Sequence, residues 1–454
     1  MICNSCKLLK TKSYCIPKRF FIFKKLKDYV EKEFDKERDT FQSWAEFQGR
    51  GFERPQYTRS WLINDYGDIE KVLECDIINT PTNKQTSVLS NHKAYFQQAI
   101  RSPNEVLVKV HAASLNPIDI RIAEGYGYNL FNMRRNFVYK MLSSINGGKD
   151  KLYSDNVNKH EFPLVLGRDF SGTVVDVGVQ VGDLQPGDEV YGAPEVFANG
   201  SLSHYCRVDL DHVVQKPAVL SHIEAASIPY VGLTTVSALR KHILNPKVPR
   251  YALVLGGSGG VGSFAIQYLR AHGFSVTTTC STEGLEVCQR LNADCINYKT
   301  EDVDKELASR VPYGIVYDVV GAGSPEWASQ YLVKGGIFVT LKNPLAEMTD
   351  KYGAFFGLQG AAVDFVRKQG QNMDIKNEWA FYKPDRLALL EIARLIDGGQ
   401  IKPIIDTKNI CSFDDVPKGF KTLKLGHTKG KIVVNVSGLP EATQKPNVDK
   451  IIHM

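Results

Sequence analysis

The chain has 454 residues, of which 43% are hydrophobic and 23% are charged, and its formal net charge is +6. This length favours two domains over one small domain, and the composition is ordinary for a soluble globular protein with a full core. The positive charge is concentrated in the first 27 residues, and the rest of the chain is close to neutral. Charge therefore gives no support for a nucleic-acid partner.

Residues 1–55 are predicted to form a basic leader and linker. Eight Lys or Arg and no Asp or Glu occur between Met1 and Lys27, a pattern typical of a mitochondrial targeting segment. The alternative is a disordered basic tail, because the segment is rich in Lys rather than Arg and has few Ser. Its longest apolar run, Phe20 to Phe23, is far too short to span a membrane, and no membrane span is predicted.

The nine cysteines are irregularly spaced and odd in number, which favours a reducing compartment over a disulfide framework. Cys3 and Cys6 form the only CxxC pair, and no second pair completes a zinc site. The sequence therefore predicts no metal centre.

Residues 56–222 are predicted to form a mostly β domain. Hydrophobic and polar residues alternate as they do in strands, and Gly and Pro separate the runs. The strand-like runs are Arg59–Glu74, Glu105–Ala112, Ser171–Val177, Glu189–Tyr191, Ser203–Val208 and His212–Gln215.

The pattern changes at residue 223, where helical spacing runs from Ile223 to Leu239 and strands then alternate with helices up to residue 397. The predicted strands are Tyr251–Leu255, Ser275–Thr279, Cys295–Asn297, Ile315–Val320 and Gly336–Leu341, and helices include Val261–His272, Glu283–Leu291 and Pro384–Ile396. Such alternation predicts an α/β fold with a doubly wound parallel sheet. Residues 398–437, with strand-like Ile401–Pro403 and Lys431–Val436, are predicted to return to the β domain, and residues 438–454 are a polar tail.

A glycine-rich loop lies between the first strand and the first helix of this alternation. The pattern Gly257-x-Gly259-x-x-Gly262 in that position is typical of a dinucleotide-binding loop, although an ordinary strand–helix turn is the alternative. One glycine permits the tight turn, another lets backbone N–H groups approach a pyrophosphate, and the third allows helix and strand to pack closely. The helix N-terminus adds a dipole that favours the anion.

The next strand ends in hydroxyl rather than acidic side chains. NAD sites usually carry Asp or Glu there, to bind the ribose hydroxyls. Here Thr277–Thr282 contains no carboxylate, and Glu283 is expected in the next helix. Ser281 would accommodate a 2′-phosphate without charge repulsion, so the sequence favours NADPH over NADH. The positive partner of that phosphate must come from elsewhere in the chain.

Several motifs occur in the order found in a known family: Asn116–Asp119, Leu166–Gly172, Gly187–Gly192 and the glycine loop. Over about residues 58–437 the chain resembles the medium-chain dehydrogenase/reductase superfamily, and within it the zinc-free quinone oxidoreductase branch. Ala252–Gly262, Trp379–Tyr382 and Gly426–Lys431 carry the closer match. The resemblance implies a GroES-like β domain, in two sequence pieces, around a Rossmann domain.

The resemblance also implies which residues hold the cofactor. The pyrophosphate would meet Ser258, Gly259, Gly260 and Val261, and the 2′-phosphate would lie beside Ser281 and Tyr298. The nicotinamide half would face Val319, Leu341, Ala380 and Tyr382, while His427, Thr428 and Lys429 would close over the cofactor. Lys429 could supply the missing positive charge.

Zinc alcohol dehydrogenases of the superfamily use a Cys after the second strand of the β domain and the His of a Gly-His-Glu motif. The corresponding positions here hold Pro117 or Ile118 and Arg168-Asp169. Arg cannot ligate zinc because its guanidinium stays protonated, so zinc chemistry is not expected.

The implied reaction is hydride transfer from NADPH to a quinone, of the ubiquinone type, in mitochondria and there in the matrix rather than at the outer membrane. Direct transfer needs positioning in a dry cleft more than it needs a nucleophile. Asn116, Asp119 and Tyr126 are the candidate catalytic residues, with Tyr128 beside them, although Asp119 could instead form a structural ion pair with Arg121. The resemblance further implies a reticulon-type protein partner, and the oligomeric state stays open.

Two rival functions remain at this point. A sister branch reduces enoyl thioesters with a Tyr as proton donor, and Tyr126 and Tyr128 flank the matching place. The other rival is an NADPH-holding interaction protein with little turnover. Asn129–His160 form a longer loop than the family usually has, with no assigned role.

Overall fold

The structure is a computed structural model that describes residues 57–79, 103–133 and 162–438, apart from 311, 343, 346, 353–358, 361, 364–373 and 427. The predicted leader 1–55, residues 134–160 of the long loop, His427 and the tail beyond Gly438 lie outside the described residues. None of the described helices combines the length and the apolarity needed to cross a membrane.

The first part of the β domain consists of short strands, as the sequence predicts. Its elements are β1 (Tyr57–Ile63), α1 (Ile69–Val72), β2 (Leu73–Asn79), β3 (Glu105–Leu115), α2 (Pro117–Ala123), β4 (Leu164–Val165), β5 (Phe170–Val177), β6 (Glu189–Gly192), β7 (Tyr205–Asp209) and β8 (Val213–Gln215). The predicted run Arg59–Glu74 is interrupted by α1, which Asp68 caps by accepting a hydrogen bond from the Glu70 N–H.

The second part alternates strands and helices. Its elements are α3 (His222–Ala225), α4 (Pro229–Ile243), β9 (Tyr251–Leu255), α5 (Gly260–Ala271), β10 (Ser275–Cys280), α6 (Leu285–Arg290), β11 (Asp294–Asn297), α7 (Val303–Ala308), β12 (Tyr313–Asp318), α8 (Pro325–Ala328), β13 (Leu332–Thr340), β14 (Lys376–Trp379) and α9 (Arg386–Asp397). All six strands are parallel, in the order β11-β10-β9-β12-β13-β14. The predicted doubly wound sheet is confirmed, and its central strands are apolar because helices cover both faces.

The chain then returns to the β domain through β15 (Cys411–Ser412), α10 (Val416–Leu425) and β16 (Ile432–Asn435). Strand β16 pairs antiparallel with β3, with Ile432 opposite Leu115. It completes a seven-stranded sheet in the order β15-β16-β3-β5-β6-β8, with β7 also paired to β3, while β2-β1-β4 form a separate small sheet. This sheet brings the return segment beside residues more than 250 positions earlier in the sequence.

Three further predicted elements differ from the structure. The helical run Ile223–Leu239 is two helices, because Pro229 has no N–H to continue the first helix and instead begins the second. Ile401–Pro403 is not a strand; Ile405 forms only an isolated bridge with Lys431. Strand β12 ends at Asp318 rather than Val320, because the Asp318 carboxylate accepts the backbone N–H groups of the next loop, from Val320 to Gly323.

Hydrogen bonds and a shared core join the two domains. Tyr191 of β6 is fully buried among residues of α4 and α9, and its hydroxyl donates to the Leu389 carbonyl at 2.8 Å. The Tyr382 hydroxyl, after β14, donates to the Ala193 carbonyl at 2.9 Å. These contacts hold the edge of the parallel sheet beside the β domain, and the cleft between them is the candidate site.

Candidate cofactor and active site

The C-terminal edge of the parallel sheet brings the predicted cofactor residues together. A predicted residue directly follows five of the six strands: Ser281 after β10, Tyr298 after β11, Val319 after β12, Leu341 after β13 and Ala380 after β14. The sixth strand, β9, is followed by Gly256, which begins the glycine loop. Backbone hydrogen bonds extend the sheet to these positions, as from Leu341 N to Asp318 O at 3.0 Å and from Ala380 N to Thr340 O at 2.9 Å. Ligands of doubly wound sheets bind at this edge, so the row spans the expected crevice.

The glycines of the loop after β9 have different structural roles. Gly256 has φ +87°, which favours glycine. A Cβ on Gly257 would lie 2.1 Å from Thr278 Oγ1, and one on Gly262 would lie 2.1 Å from the Gly256 carbonyl oxygen. Gly259 is different, because a Cβ there would meet nothing closer than 3.9 Å. The fold therefore requires glycine at positions 256, 257 and 262. At Gly259 it leaves open space, which a ligand needs in order to approach the backbone closely.

Helix α5 begins directly at this open space. Gly259 is its N-cap, Gly260 and Val261 form its first turn, and no side chain caps it. The first N–H groups of a helix have no partner within the helix, so they are left for an anion or water. A dinucleotide pyrophosphate fits such a donor set.

The return segment lies against the glycine loop. The Gly430 N–H donates to the Ser258 carbonyl at 3.1 Å, and Gly259 and Gly430 form an isolated parallel bridge. Half-buried Thr428 and exposed Lys429 precede this contact by one or two residues. The fold thus brings Thr428 and Lys429 close to the loop that they were predicted to cover, while His427 is outside the described residues.

A positive charge that was not among the predicted site residues lies beside Tyr298. Ser281 and Tyr298 follow the neighbouring strands β10 and β11, and the Lys299 ammonium lies 5.5 Å from the centre of the Tyr298 ring. The backbone N–H of Lys429, in contrast, donates to Asp406. Lys299 was not among the predicted site residues. Its position directly after Tyr298 in the sequence is the signal by which it could have been found.

A stacked tyrosine pair lies on the side of the crevice that is predicted to face the nicotinamide. The rings of Tyr230, in α4, and Tyr382 lie 4.6 Å apart and 16° from parallel. Burial raises the pKa of both hydroxyls, so both stay protonated. The hydroxyl of Tyr382 bonds to the β domain, which fixes its ring beside the strand ends. Tyr230 was not among the predicted site residues.

A buried charge cluster forms the β-domain wall of the cleft. The Asp169 carboxylate accepts hydrogen bonds from Ser114 Oγ at 2.6 Å, Asn116 Nδ2 at 2.7 Å and Lys431 Nζ at 3.2 Å. Its other oxygen accepts the backbone N–H of Tyr230. Lys431 Nζ also donates to the Leu115 carbonyl and to Asn116 Oδ1. The amide nitrogen and the amide oxygen of Asn116 therefore both form hydrogen bonds within the protein, and the residue is only 1% exposed.

Asp119 is also fully buried, and its charged neighbour is Arg168, with Nε 3.7 Å from the carboxylate. The expected ion pair with Arg121 is wrong: Arg121 is exposed, and its guanidinium lies over the Tyr126 ring. Helix α2 turns Asp119 inward, where it accepts the backbone N–H groups of Asn116 and Gly167. Burial raises the pKa of Asp119 to about 6, and Arg168 opposes that rise.

The loop that carries Tyr126 and Tyr128 is held against the Rossmann domain. Asp350 accepts the backbone N–H groups of Gly127 at 2.6 Å and Asn129 at 3.0 Å. Tyr126 is half-buried, and burial raises the pKa of its hydroxyl, whereas Tyr128 is exposed and packs edge-on against Tyr66. Of the three predicted catalytic residues, only Tyr126 is not enclosed by the protein.

The position where the superfamily's zinc enzymes have a histidine is filled by Arg168. Its side chain is fully buried, and Nη1 donates to the Ala198 carbonyl at 2.7 Å. In the described part of the chain, one group of His, Cys, Asp or Glu is close enough to hold a metal ion, and it is Cys280, Cys288 and Cys295. The sequence reasoning treated these cysteines as scattered.

Two family models match the chain. One is described as "Alcohol dehydrogenase GroES-like domain" and matches residues 102–218; the other is described as "Zinc-binding dehydrogenase" and matches residues 292–434. The human mitochondrial NAD(P)H oxidoreductase RTN4IP1 is 37% identical over 385 residues, which cover 83% of this chain and 89% of the human protein. The chain belongs to the medium-chain dehydrogenase/reductase superfamily. Within that superfamily it is a member of the NAD(P)H oxidoreductase family that includes this relative.

Two further likenesses agree with this assignment. Reticulon-4-interacting protein 1 of Caenorhabditis elegans is 30% identical over 344 residues, 74% of this chain and 89% of the worm protein. The solved structure of the quinone oxidoreductase from Coxiella burnetii has a TM-score of 0.62 and 25% identity, covering 84% of this chain and 99% of the bacterial one. The predicted combination of a GroES-like β domain and a Rossmann domain is confirmed.

Proposed function

We propose that this member of the medium-chain dehydrogenase/reductase superfamily is a zinc-independent NADPH oxidoreductase that reduces a quinone of the ubiquinone type. The observation that carries the proposal is the open backbone at Gly259, beside the uncapped start of α5 and in the middle of the strand-end row. A pyrophosphate bound there directs one half of the cofactor toward Ser281 and Tyr298. The other half is directed toward Val319, Leu341 and Ala380.

Preference for NADPH over NADH is supported by the groups at the ends of β10 and β11. Ser281 offers a hydroxyl in place of a carboxylate, and Lys299 beside Tyr298 offers a positive charge for a 2′-phosphate. We expect kcat/KM with NADPH to exceed that with NADH by at least about tenfold, or about 1.4 kcal/mol of transition-state binding. Equal values for both cofactors would contradict this preference.

The protein's contribution to the chemistry is positioning. NADPH supplies the hydride, and the residues at the ends of β12, β13 and β14 form a wall against which its reactive half is held. The stacked rings of Tyr230 and Tyr382 exclude water from this end of the crevice. Asn116 and Asp119 act as positioning residues, because their polar groups are used inside the protein. Tyr126 is the group that we expect to contact the acceptor, as a protonated hydroxyl that donates to a quinone oxygen.

Independence from zinc is supported by Arg168. A guanidinium has no lone pair to offer a metal ion, and this one is buried beside Asp119 where the superfamily's zinc enzymes have a ligand. We expect NADPH oxidation with a quinone to be unchanged after exhaustive chelation. Loss of turnover that returns with added Zn²⁺ would contradict the proposal.

The acceptor is identified by a comparison of substrates at equal concentration. We expect NADPH oxidation to be faster with short- and long-tailed ubiquinones than with crotonyl thioesters. Reduction of an enoyl thioester needs a residue that protonates a carbon atom of the substrate, whereas reduction of a quinone does not. Faster turnover of the thioesters would establish the rival reductase. Tight NADPH binding without oxidation by any quinone would establish the cofactor-holding interaction protein.

We also propose a mitochondrial matrix location and a reticulon-type partner. The acid-free residues 1–27 and the word "mitochondrial" in the relatives' names support the location. The name of the worm relative supports the partner. Residues 1–55 fused to a fluorescent protein should become protease-resistant inside intact mitochondria; a protease-sensitive fusion at the outer surface would contradict the matrix location.

A further inference from the structure

Three cysteines meet on one face of the parallel sheet. Cys280 ends β10, Cys295 lies in β11, and Cys288 lies in α6, which connects these two strands. Their three sulfur atoms all lie within 4.8 Å of one another. The proposed reductase chemistry does not use these thiols.

The convergence follows from strand register. Cys280 pairs with Asn297, and Thr278 pairs with Cys295, so the two cysteines are diagonal neighbours on the same face of adjacent strands. Helix α6 covers that face, and Cys288 is its one buried residue. A strand–helix–strand unit with one cysteine in each element thus places three thiols around one point.

The site is closed on two sides and accessible on the third. Cys280 and Cys288 are 1% and 0% exposed, whereas Cys295 is half-buried. Cys295 also lines a cleft of ≈ 410 Å³ together with Asp294, Asn297 and Glu301. An ion can therefore reach the sulfur atoms from the side of Cys295, and a water molecule from this cleft can complete its coordination.

We propose that Cys280, Cys288 and Cys295 bind one thiophilic cation of the Zn²⁺ or Cu⁺ class. Thiolate ligands select these soft ions, and each thiol releases its proton to solvent when the ion binds. Zn–S bonds of about 2.3 Å in a tetrahedral site place sulfur atoms about 3.8 Å apart, so the three side chains need to close by about 1 Å. The bound ion bridges α6, β10 and β11 and has no role in the hydride transfer proposed above, so its removal should leave NADPH oxidation unchanged.

The test uses the full chain with Cys3, Cys6 and Cys15 all replaced by Ser, so that any ion retained does not belong to those residues. The metal-free protein is titrated separately with Zn²⁺, Cd²⁺ and Cu⁺ in the presence of a thiol-free reductant. Metal per chain is measured after gel filtration, and the thiolate-to-Cd²⁺ charge-transfer band is recorded. We expect one ion per chain and a Cd²⁺ charge-transfer band with the intensity that three thiolate ligands produce. Competition between Zn²⁺ and Cu⁺ then identifies the preferred ion.

Matched variants connect the binding to this site. Cys295→Ser should raise the dissociation constant of the metal ion at least about tenfold, which corresponds to about 1.4 kcal/mol of binding free energy. Cys75→Ser changes a similarly half-buried thiol in the β domain and should leave binding unchanged. Circular dichroism establishes that both variants fold. Failure to retain any of the three ions, or equal retention by the Cys295→Ser protein, would overturn the proposal.

Discussion

The two walls of the cleft are built in opposite ways. The sheet-edge wall, from Gly256 to Ala380 at the ends of the parallel strands, presents backbone N–H groups and an open glycine. The β-domain wall contains full charges on Lys431, Asp169 and Arg168, and all three side chains are buried. Lys431 and Asp169 are bonded to each other, whereas Arg168 donates from Nη1 to a backbone carbonyl and has no hydrogen-bond partner at Nε and Nη2 among the described residues. Binding capacity therefore follows from groups that are both accessible and without partners, and the density of charge is a poor guide to it.

The two walls touch where Lys431 meets the start of α5. A Cβ on Gly260 would lie 2.9 Å from Lys431 Cδ, so the stem of this lysine packs against the start of α5. The charge cluster thus supports the glycine loop from behind. Substitutions can separate the two roles, because the β-domain wall should affect stability and the sheet-edge wall should affect cofactor binding.

The largest effect is expected from Lys431→Met, which keeps an apolar stem but removes the ammonium from Asp169. Removing one partner of a buried ion pair usually costs about 3–5 kcal/mol, and we expect the free energy of unfolding to fall by that amount. Urea unfolding measures it. Lys424→Met, which removes an exposed lysine from Asp68, is the control and should cause little change. Equal small losses in both variants would mean that the cluster does not stabilise the fold.

Gly262→Ala comes next. The added Cβ would lie 2.1 Å from the Gly256 carbonyl oxygen, so the loop and α5 must move apart. Overpacking of this kind typically costs about 1–3 kcal/mol, and we expect a loss in that range by urea unfolding, together with weaker NADPH binding. An unchanged free energy of unfolding would show that the loop adapts freely to the added side chain.

Ser281→Asp comes last, and because Ser281 is 7% exposed, urea unfolding is measured alongside to report the cost of placing a carboxylate there. A carboxylate at the end of β10 repels a 2′-phosphate and can accept hydrogen bonds from a ribose hydroxyl. We expect the ratio of kcat/KM for NADPH to that for NADH to fall about tenfold, or about 1.4 kcal/mol. Ser281→Ala, which adds no charge, should keep the original preference. An unchanged ratio in the Asp variant would place the phosphate elsewhere.

Part of the sheet-edge wall could be predicted from the sequence because its signals are local. The glycine loop and Ser281 follow strands that the sequence predicts. Val319, Leu341 and Ala380 were instead implied by the family resemblance, because the predicted strands included Val319 and Leu341 and no strand was predicted at β14. The β-domain wall could not be predicted in this way, because Asn116 and Lys431 reach Asp169 from 53 and 262 residues away. Sequence proximity suggested Arg121 for Asp119, whereas the fold supplies Arg168.

The cysteine cluster shows the same limit. Spacing along the chain is irregular, and only the register between β10 and β11 places Cys280 and Cys295 on one face. Lys299 was missed for a different reason. Its only signal in the sequence is its place directly after Tyr298.

The central claim is that the open backbone at Gly259 holds the pyrophosphate of the cofactor. Gly259→Ala tests it most directly, because the added methyl group meets no protein atom closer than 3.9 Å and the residue has an ordinary φ of −78°. We predict an unchanged free energy of unfolding and NADPH binding at least about tenfold weaker by isothermal titration calorimetry, a loss of about 1.4 kcal/mol. NADPH binding equal to that of the unsubstituted protein would contradict the account.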